Sequence, residues 1–168
     1  EEMFRKEVRL VVRETPHIYL FGTSGEGYAI SEELFTKIVK VFAEEMEAAD
    51  GKPMVGLIHV ATAQIKERIE LCRDIGITKF QISLPPWAAL NEWELFHFFE
   101  DICGRYEDCE FLHYNVARSK RIVNPEEYAK LEQLHPNLVA TKITTDSIRY
   151  IGRLMELSTE LRHFFTDL

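Results

Sequence analysis

The chain has 168 residues, of which 46% are hydrophobic and 29% are charged, and its formal net charge is −8. These values are typical of a globular protein with one sizeable core. The acidic balance argues against nucleic acid as a partner, since a phosphate backbone calls for a clustered basic face. No apolar run approaches the roughly 20 residues of a membrane span, so we expect no membrane partner. The cysteines Cys72, Cys103 and Cys109 lack metal-ligand spacing and indicate free thiols in a reducing, cytoplasmic compartment.

Helical and strand-like patterns alternate along the whole chain. In chain order, apolar spacing and turn residues predict a helix, then a strand, and so on through six such pairs: 3–13, 17–21, 31–49, 53–60, 62–75, 79–84, 92–106, 110–114, 125–134, 138–145, 147–157 and 163–166. Strict alternation is typical of a parallel α/β fold, either a barrel or a doubly wound sheet. An eight-stranded barrel usually needs about 250 residues, so a barrel of this length would be incomplete. With no linker-like segment, a single domain over 1–168 is the simplest prediction.

Polar groups follow the first predicted strand, where a parallel α/β fold has its active site. Residues 22–26 read Gly-Thr-Ser-Gly-Glu, so two hydroxyl groups stand between glycines. Glycines let backbone N–H groups approach a ligand, and such a turn suits a carboxylate or a phosphate. Any turn from a strand to a helix favours these residue types, so the segment is weak evidence alone. It is neither a dinucleotide-binding GxGxxG motif nor a P-loop.

Two further groups lie near the ends of later strands. In the apolar stretch 138–145, side chains alternate between faces, so Lys142 shares a face with the small Ala140. Burying an ammonium costs several kcal/mol in order of magnitude unless it is paired or loses its proton, and a neutral lysine amine is a nucleophile. Tyr114 ends the preceding strand, one strand-helix-strand unit earlier, so the two strands should be neighbours. The alternatives are a lysine that extends to solvent and a tyrosine at the rim.

Together these motifs resemble the dihydrodipicolinate synthase / N-acetylneuraminate lyase family. The Gly-Thr-Ser-Gly-Glu turn, the pair Tyr114-Asn115 and the strand lysine Lys142 occur in the family's order and at close to its spacing. The resemblance implies a (β/α)8 TIM barrel of which about strands 2 to 7 are present, so that 1–168 would be one domain truncated at both ends. It also implies a Schiff-base aldolase or lyase that binds pyruvate or another 2-keto acid and an aldehyde. Neither a metal nor an organic cofactor is implied, and a homodimer or homotetramer is expected.

The resemblance also assigns roles to individual residues. Lys142 would form the imine, and Tyr114 would relay protons to and from the carbinolamine and the substrate oxygens. Thr23 would couple Tyr114 towards solvent. Ser24, with the adjoining backbone at Gly25, would hold the carboxylate of the keto acid. The chemistry is consistent, since a neutral amine can attack a carbonyl group, a phenol can transfer the proton, and N–H groups can satisfy a carboxylate.

Two positions depart from the family pattern. Ala117 stands where the family usually has proline after Tyr-Asn, and Arg118 matches the synthases' carboxylate-binding arginine only across a one-residue gap. Trp87 stands where the family often has a tyrosine that joins a partner subunit's proton relay, and tryptophan has no ionisable hydroxyl. These departures leave the aldehyde open. The alternatives are a lyase for N-acetylneuraminate or a 2-keto-3-deoxy sugar acid, and a homologue that binds a keto acid without turnover.

Overall fold

The structure of the chain is a computed structural model that describes residues 1–166. Helices and strands alternate through this range. The helices are α1 (Glu2–Glu14), α2 (Glu32–Ala48), α3 (Thr62–Arg73), α4 (Glu92–Phe99), α5 (Pro125–Leu134) and α6 (Ile148–Leu157). The strands are β1 (His17–Leu20), β2 (Lys52–Gly56), β3 (Lys79–Ile82), β4 (Glu110–Asn115), β5 (Leu138–Thr144) and β6 (Arg162–Thr166). The α/β prediction is confirmed.

The chain forms two compact units, one of Glu1–Ile58 with Ala63–Gln81, the other of His59–Thr62 with the described residues from Ile82 onward. In the first unit β1 pairs with β2 and β2 with β3, and both pairings are parallel. Helix α1 packs on α2, which begins where the Ser31 hydroxyl accepts a hydrogen bond of 3.2 Å from the backbone N–H of Leu34. The buried face of α2 has apolar residues at helical spacing and forms much of this unit's core: Phe35, Val39, Phe42 and Met46.

In the second unit β5 lies between β4 and β6, and both pairings are parallel. Helix α5 begins with a reciprocal cap, in which the Asn124 side chain accepts from the Glu127 N–H and the Glu127 carboxylate accepts from the Asn124 N–H. Pro125 occupies the first turn, where a missing N–H costs nothing. These local signals explain why α5 has the bounds predicted from the sequence. Helix α5 packs against α6.

Two elements differ from the sequence prediction by more than two residues. Strand β2 ends at Gly56 rather than at residue 60; of the apolar residues that follow, Leu57 is buried and Val60 is exposed, and neither belongs to the strand. The predicted helix over 92–106 is α4 followed by a π-helical turn, Glu100–Gly104. Apolar spacing alone does not distinguish a π-helical turn from another turn of α-helix. Within residues 1–166, no helix combines the length and apolar character needed to cross a membrane.

Candidate active site

The turn after β1 is sharply bent. Phe21 and Glu26 have left-handed backbone angles, with φ of 66° and 50°, and the segment Thr23–Gly25 between them is a short 3₁₀ turn. The side chain of Thr23 is half-buried, whereas Ser24 and Gly25 are exposed. At Gly27, an added Cβ would lie 2.6 Å from the Phe21 ring, so the close approach at this position requires glycine. The backbone conformation of the turn therefore fixes the positions from which the Thr23 and Ser24 side chains project.

A buried arginine on α3 ties this turn to the start of α2. The Arg68 guanidinium donates to the carbonyl of Gly27 at 3.1 Å and makes two hydrogen bonds to the Glu32 carboxylate at 3.0 and 2.6 Å. It also lies 4.1 Å from the centre of the Phe35 ring. The arginine side chain is 2% exposed, whereas the Glu32 side chain is 43% exposed, so water is excluded from the arginine side of the pair only. Sequence reasoning did not find Arg68, because a lone arginine in a helical pattern gives no signal of its partners.

Tyr114 and Lys142 lie side by side in the second unit. They are register partners on the neighbouring strands β4 and β5, as the one-unit spacing predicted. The Lys142 Nζ atom lies 4.4 Å from the centre of the Tyr114 ring. Tyr114 is 9% exposed and Lys142 is half-buried, while Thr141 and Ile143 on the opposite face of β5 are fully buried. The structure thus places an amine against a phenol on one face of β4 and β5.

The Tyr114 hydroxyl points towards a threonine that the sequence analysis did not single out. It lies 3.5 Å from the Thr144 hydroxyl oxygen, which lies 3.1 Å from the hydroxyl oxygen of Thr166 on β6. Thr144 follows Lys142 by two residues and so shares its face of the strand. The spacing of two residues from Lys142 indicated that Thr144 lies on the same face. It did not indicate that the Thr144 hydroxyl would contact the Tyr114 phenol.

Asn115, next to Tyr114, closes the loop that follows β4. Its side chain donates to the Val123 carbonyl at 2.9 Å and accepts from the Val123 N–H at 3.0 Å. It also donates to the hydroxyl of Tyr150 at 3.0 Å, and that hydroxyl donates to Val123 at 2.5 Å. Burial raises the pKa of Tyr150, which keeps this phenol neutral and able to donate. The asparagine thereby fixes both ends of the segment that carries Arg118.

Arg118 and Trp87 are both exposed. Arg118 lies in the short 3₁₀ turn Ala117–Ser119 directly after β4, and its side chain faces solvent. Trp87 is 80% exposed, and its backbone carbonyl accepts a hydrogen bond of 2.8 Å from Lys120. Thr23, Ser24 and Gly25 share one turn of the first unit, whereas Tyr114, Lys142 and Arg118 belong to the second. No group of three or more possible metal-binding side chains (His, Cys, Asp or Glu) occurs among residues 1–166.

His113 is buried on the opposite face of β4 from Tyr114. Its ring is inaccessible to solvent, its Nδ1 atom lies 2.7 Å from the Tyr128 hydroxyl, and its Nε2 atom has no partner within the described part of the chain. Burial lowers the pKa of His113 to about 3 and raises the pKa of Tyr128 well above its ordinary value. The pair is therefore neutral near pH 7 and contributes to the packing of this face of β4.

His113 should make the protein sensitive to acid. The imidazole takes up a proton near pH 6.5 in the unfolded chain but only near pH 3 in the folded one, so stability is complete above 6.5 and is lost as pH falls towards 3. The expected slope is about 1.4 kcal/mol per pH unit. In His113→Asn, urea unfolding between pH 7 and pH 4 should show a shallower loss. His97→Asn, which removes an exposed imidazole, is the control, and an unchanged slope in His113→Asn would contradict this account.

Comparison with known proteins gives one consistent result. The sequence model of the Dihydrodipicolinate synthetase family matches residues 2–165. The chain is 28% identical over 155 residues to an uncharacterized DapA-like lyase of Pyrococcus furiosus, covering 90% of this chain and 50% of that protein. It is 26% identical over 149 residues to the 4-hydroxy-tetrahydrodipicolinate synthase of Wigglesworthia glossinidia brevipalpis, covering 88% and 48%. The chain thus spans about half the length of these curated relatives.

A solved structure extends the likeness to the fold. The prophage protein YagE of E. coli K12, a member of the dihydrodipicolinic acid synthase family in complex with pyruvate, superposes with a TM-score of 0.84 at 13% identity. The match covers 97% of this chain and 55% of that chain. The fold of the present chain therefore corresponds to part of such a protein, which agrees with the prediction of an incomplete barrel.

Proposed function

Because the chain belongs to the Dihydrodipicolinate synthetase family, we propose that the protein containing it is a Schiff-base-forming lyase or aldolase that uses pyruvate or another 2-keto acid. The observation that carries this proposal is the placement of the Lys142 Nζ atom 4.4 Å from the centre of the Tyr114 ring, on paired strands. Imine chemistry requires an amine nucleophile with a proton donor beside it, and this pair supplies both.

In the proposed reaction, the neutral amine of Lys142 attacks the keto carbon and forms a carbinolamine. The nitrogen lone pair then expels the hydroxyl group, which takes a proton from the Tyr114 phenol and leaves as water, so that an iminium ion remains. A solvent water molecule takes a proton from the carbon next to the iminium carbon, which gives a neutral enamine. The enamine carbon then attacks the aldehyde carbon while the aldehyde oxygen takes up a proton from solvent, and hydrolysis of the resulting iminium ion frees the Lys142 amine. The reverse sequence cleaves the same bond, and the chemistry fits either direction.

The turn after β1 has a supporting role in the proposal. Ser24 and the adjoining backbone at Gly25 would bind the carboxylate of the keto acid, and Thr23 would couple Tyr114 to solvent. For these residues the proposal rests on the family resemblance and on their own turn, in which Ser24 and Gly25 are exposed and therefore open to a ligand. A cytoplasmic homodimer or homotetramer is the state of the protein that the resemblance favours.

A second candidate is a homologue that binds a keto acid without turning it over. It is favoured by Trp87, whose indole replaces a hydroxyl-bearing side chain of the family, and by Ala117, which replaces a proline. A lyase for N-acetylneuraminate or a 2-keto-3-deoxy sugar acid is a variant of the first proposal with another aldehyde. Stable keto-acid binding without aldehyde-dependent turnover would favour the binding protein over either enzyme.

Reductive trapping tests the proposal directly. Incubation of the protein with pyruvate and borohydride should add one reduced pyruvyl group, and peptide mapping should place it on Lys142. Borohydride without pyruvate is the control, because reduction needs the imine. Other 2-keto acids should be tried in parallel. If no adduct forms with any of them at saturating concentration, the imine mechanism is wrong for this protein.

Arg118 should contribute to binding of the aldehyde, the second substrate, rather than of pyruvate, the first. Its exposed guanidinium follows β4 and can grip a carboxylate through two parallel hydrogen bonds, which lysine cannot reproduce. A hydrogen bond to a charged group is worth about 1.5–3 kcal/mol, so Arg118→Ala should raise the KM for the aldehyde about ten-fold or more and leave the KM for pyruvate nearly unchanged. Steady-state kinetics with each substrate varied in turn measures both constants.

Arg149→Ala removes another exposed arginine and serves as the control for the loss of a surface charge. If Arg118→Ala and Arg149→Ala behave alike, or if the KM values for both substrates change equally in Arg118→Ala, Arg118 does not bind the aldehyde.

A further inference from the structure

A row of hydroxyl groups crosses the three strands of the second unit. Tyr114 on β4, Thr144 on β5 and Thr166 on β6 follow one another, with oxygen–oxygen distances of 3.5 and 3.1 Å. Thr144 and Thr166 are register partners, so the strand pairing itself fixes their spacing. Because Tyr114 and Thr144 also flank Lys142, the row begins beside the proposed nucleophile.

A buried phenol that transfers protons needs a group that returns them. Tyr114 is 9% exposed, so solvent has little direct access to it, whereas Thr144 and Thr166 are half-buried. A hydroxyl group both donates and accepts, which allows it to pass a proton on. Trp87 cannot do so, since an indole N–H only donates, and its side chain is 80% exposed.

We propose that Thr144 is a positioning residue that holds the Tyr114 hydroxyl and passes protons to it, with Thr166 as the next member of the row. This route to solvent is additional to the coupling through Thr23 in the proposed function. The inference rests on the proposed Schiff-base function and deepens it. When the Tyr114 phenol gives its proton to the departing hydroxyl of the carbinolamine, the phenolate oxygen takes a proton from the Thr144 hydroxyl. Thr144 takes one from Thr166, and Thr166 takes one from solvent water. The net result is one proton taken from solvent, which accounts for the positive charge of the iminium ion and leaves a hydroxide ion in the solvent.

Another threonine on β5 provides a contrast. The Thr141 hydroxyl lies 2.7 Å from the Nδ1 atom of His163, so Thr141 also joins β5 to β6 through its side chain. It is fully buried on the face opposite Lys142, and its hydroxyl therefore belongs to the packing of the strands. Thr141 and Thr144 both join β5 to β6 through a side-chain hydroxyl, but they lie on opposite faces of the sheet. A comparison of substitutions at the two positions therefore distinguishes a role in catalysis from a role in stability.

The test compares Thr144→Val, which removes the hydroxyl and keeps the shape, with Thr144→Ser, which keeps the hydroxyl, in the complete protein. Thr144→Val should lower kcat and the rate of borohydride trapping with pyruvate about ten-fold or more, with the KM for pyruvate within about two-fold of wild type. Thr144→Ser should recover most of the loss. Thr166→Val should lower kcat in the same direction and to a smaller extent, which tests the row a second time should Thr144→Val fold poorly. Thr141→Val should leave kcat unchanged.

The outcomes separate this inference from the function on which it rests. If the wild-type protein forms no adduct, the proposed function fails and this inference fails with it. If the wild type forms the adduct but Thr144→Val and Thr166→Val keep wild-type kcat, the relay alone is overturned. A loss in Thr144→Val that Thr144→Ser does not restore, or an equal loss of kcat in Thr141→Val, would also overturn it, since the effect would then follow from strand packing.

Discussion

Replacing Lys142 with alanine should abolish both turnover and trapping by borohydride, the largest effect expected of any single substitution in this chain. In the proposed mechanism the imine requires a primary amine at this position, because Tyr114, the phenol proposed as proton donor, is its register partner and lies against it. No neighbouring hydroxyl group can replace the amine, since it cannot form a carbon–nitrogen double bond with the keto acid. Mass spectrometry of the protein after treatment with pyruvate and borohydride measures the outcome without any assumption about the aldehyde.

Two further variants sharpen this test. Lys142→Arg keeps the positive charge, but a guanidinium stays protonated and cannot attack the keto carbon, so trapping should be lost as completely as in the alanine variant. Lys79→Ala removes another half-buried strand lysine, at the first residue of β3, and should leave trapping intact. If Lys142→Ala still forms the adduct, or if Lys79→Ala loses it, the nucleophile has been assigned to the wrong lysine.

The elements that the sequence predicted well are those whose ends are marked by characteristic residues within a short segment of the chain. Pro125 with the flanking Asn124 marks the start of α5, and a turn of Pro-Asn followed by an apolar run marks β5. The end of β2 was predicted less well, because an apolar run reports burial and does not report pairing. The π-helical turn after α4 was also missed, because the apolar periodicity of a few residues does not distinguish one type of helix from another.

The candidate site divides in the same way. The neighbourhood of Tyr114 and Lys142 follows from topology, because consecutive strands joined by a helix commonly pair in parallel, and this was confirmed. The contact between Tyr114 and Thr144 is diagonal and depends on the twist between two strands and on side-chain rotamers, which no short pattern encodes. The hydrogen bonds of Asn115 to Val123 likewise depend on the path of a loop that has no periodicity. The structure confirms this neighbourhood only, and the roles assigned to the site residues all stay predictions: Lys142, Tyr114, Thr23, Ser24, Gly25 and Arg118.

Tyr114→Phe should retain slow trapping of pyruvate but lower turnover by about 10²- to 10⁴-fold, the range expected when a general acid–base group is lost. The substitution keeps the aromatic ring that lies 4.4 Å from the Lys142 Nζ atom, so the lysine should keep its position. The amine can still attack the keto carbon, and solvent can still protonate the departing hydroxyl, although slowly. Stopped-flow trapping and steady-state turnover, measured on the same preparation, separate formation of the imine from the later proton transfers.

Tyr128→Phe is the matched control for Tyr114→Phe, because it also removes a buried phenolic hydroxyl from the second unit. The Tyr128 hydroxyl lies 2.7 Å from His113, on the face of β4 opposite Tyr114. Its loss leaves a buried imidazole nitrogen without a partner, so the free energy of unfolding should fall by about 1–3 kcal/mol while kcat stays near wild type. Tyr114→Phe should show the reverse, a large loss of kcat with little change in stability. Turnover within a few-fold of wild type in Tyr114→Phe would remove the phenol from the mechanism, and the hydroxyl row behind it would then have no proton to return.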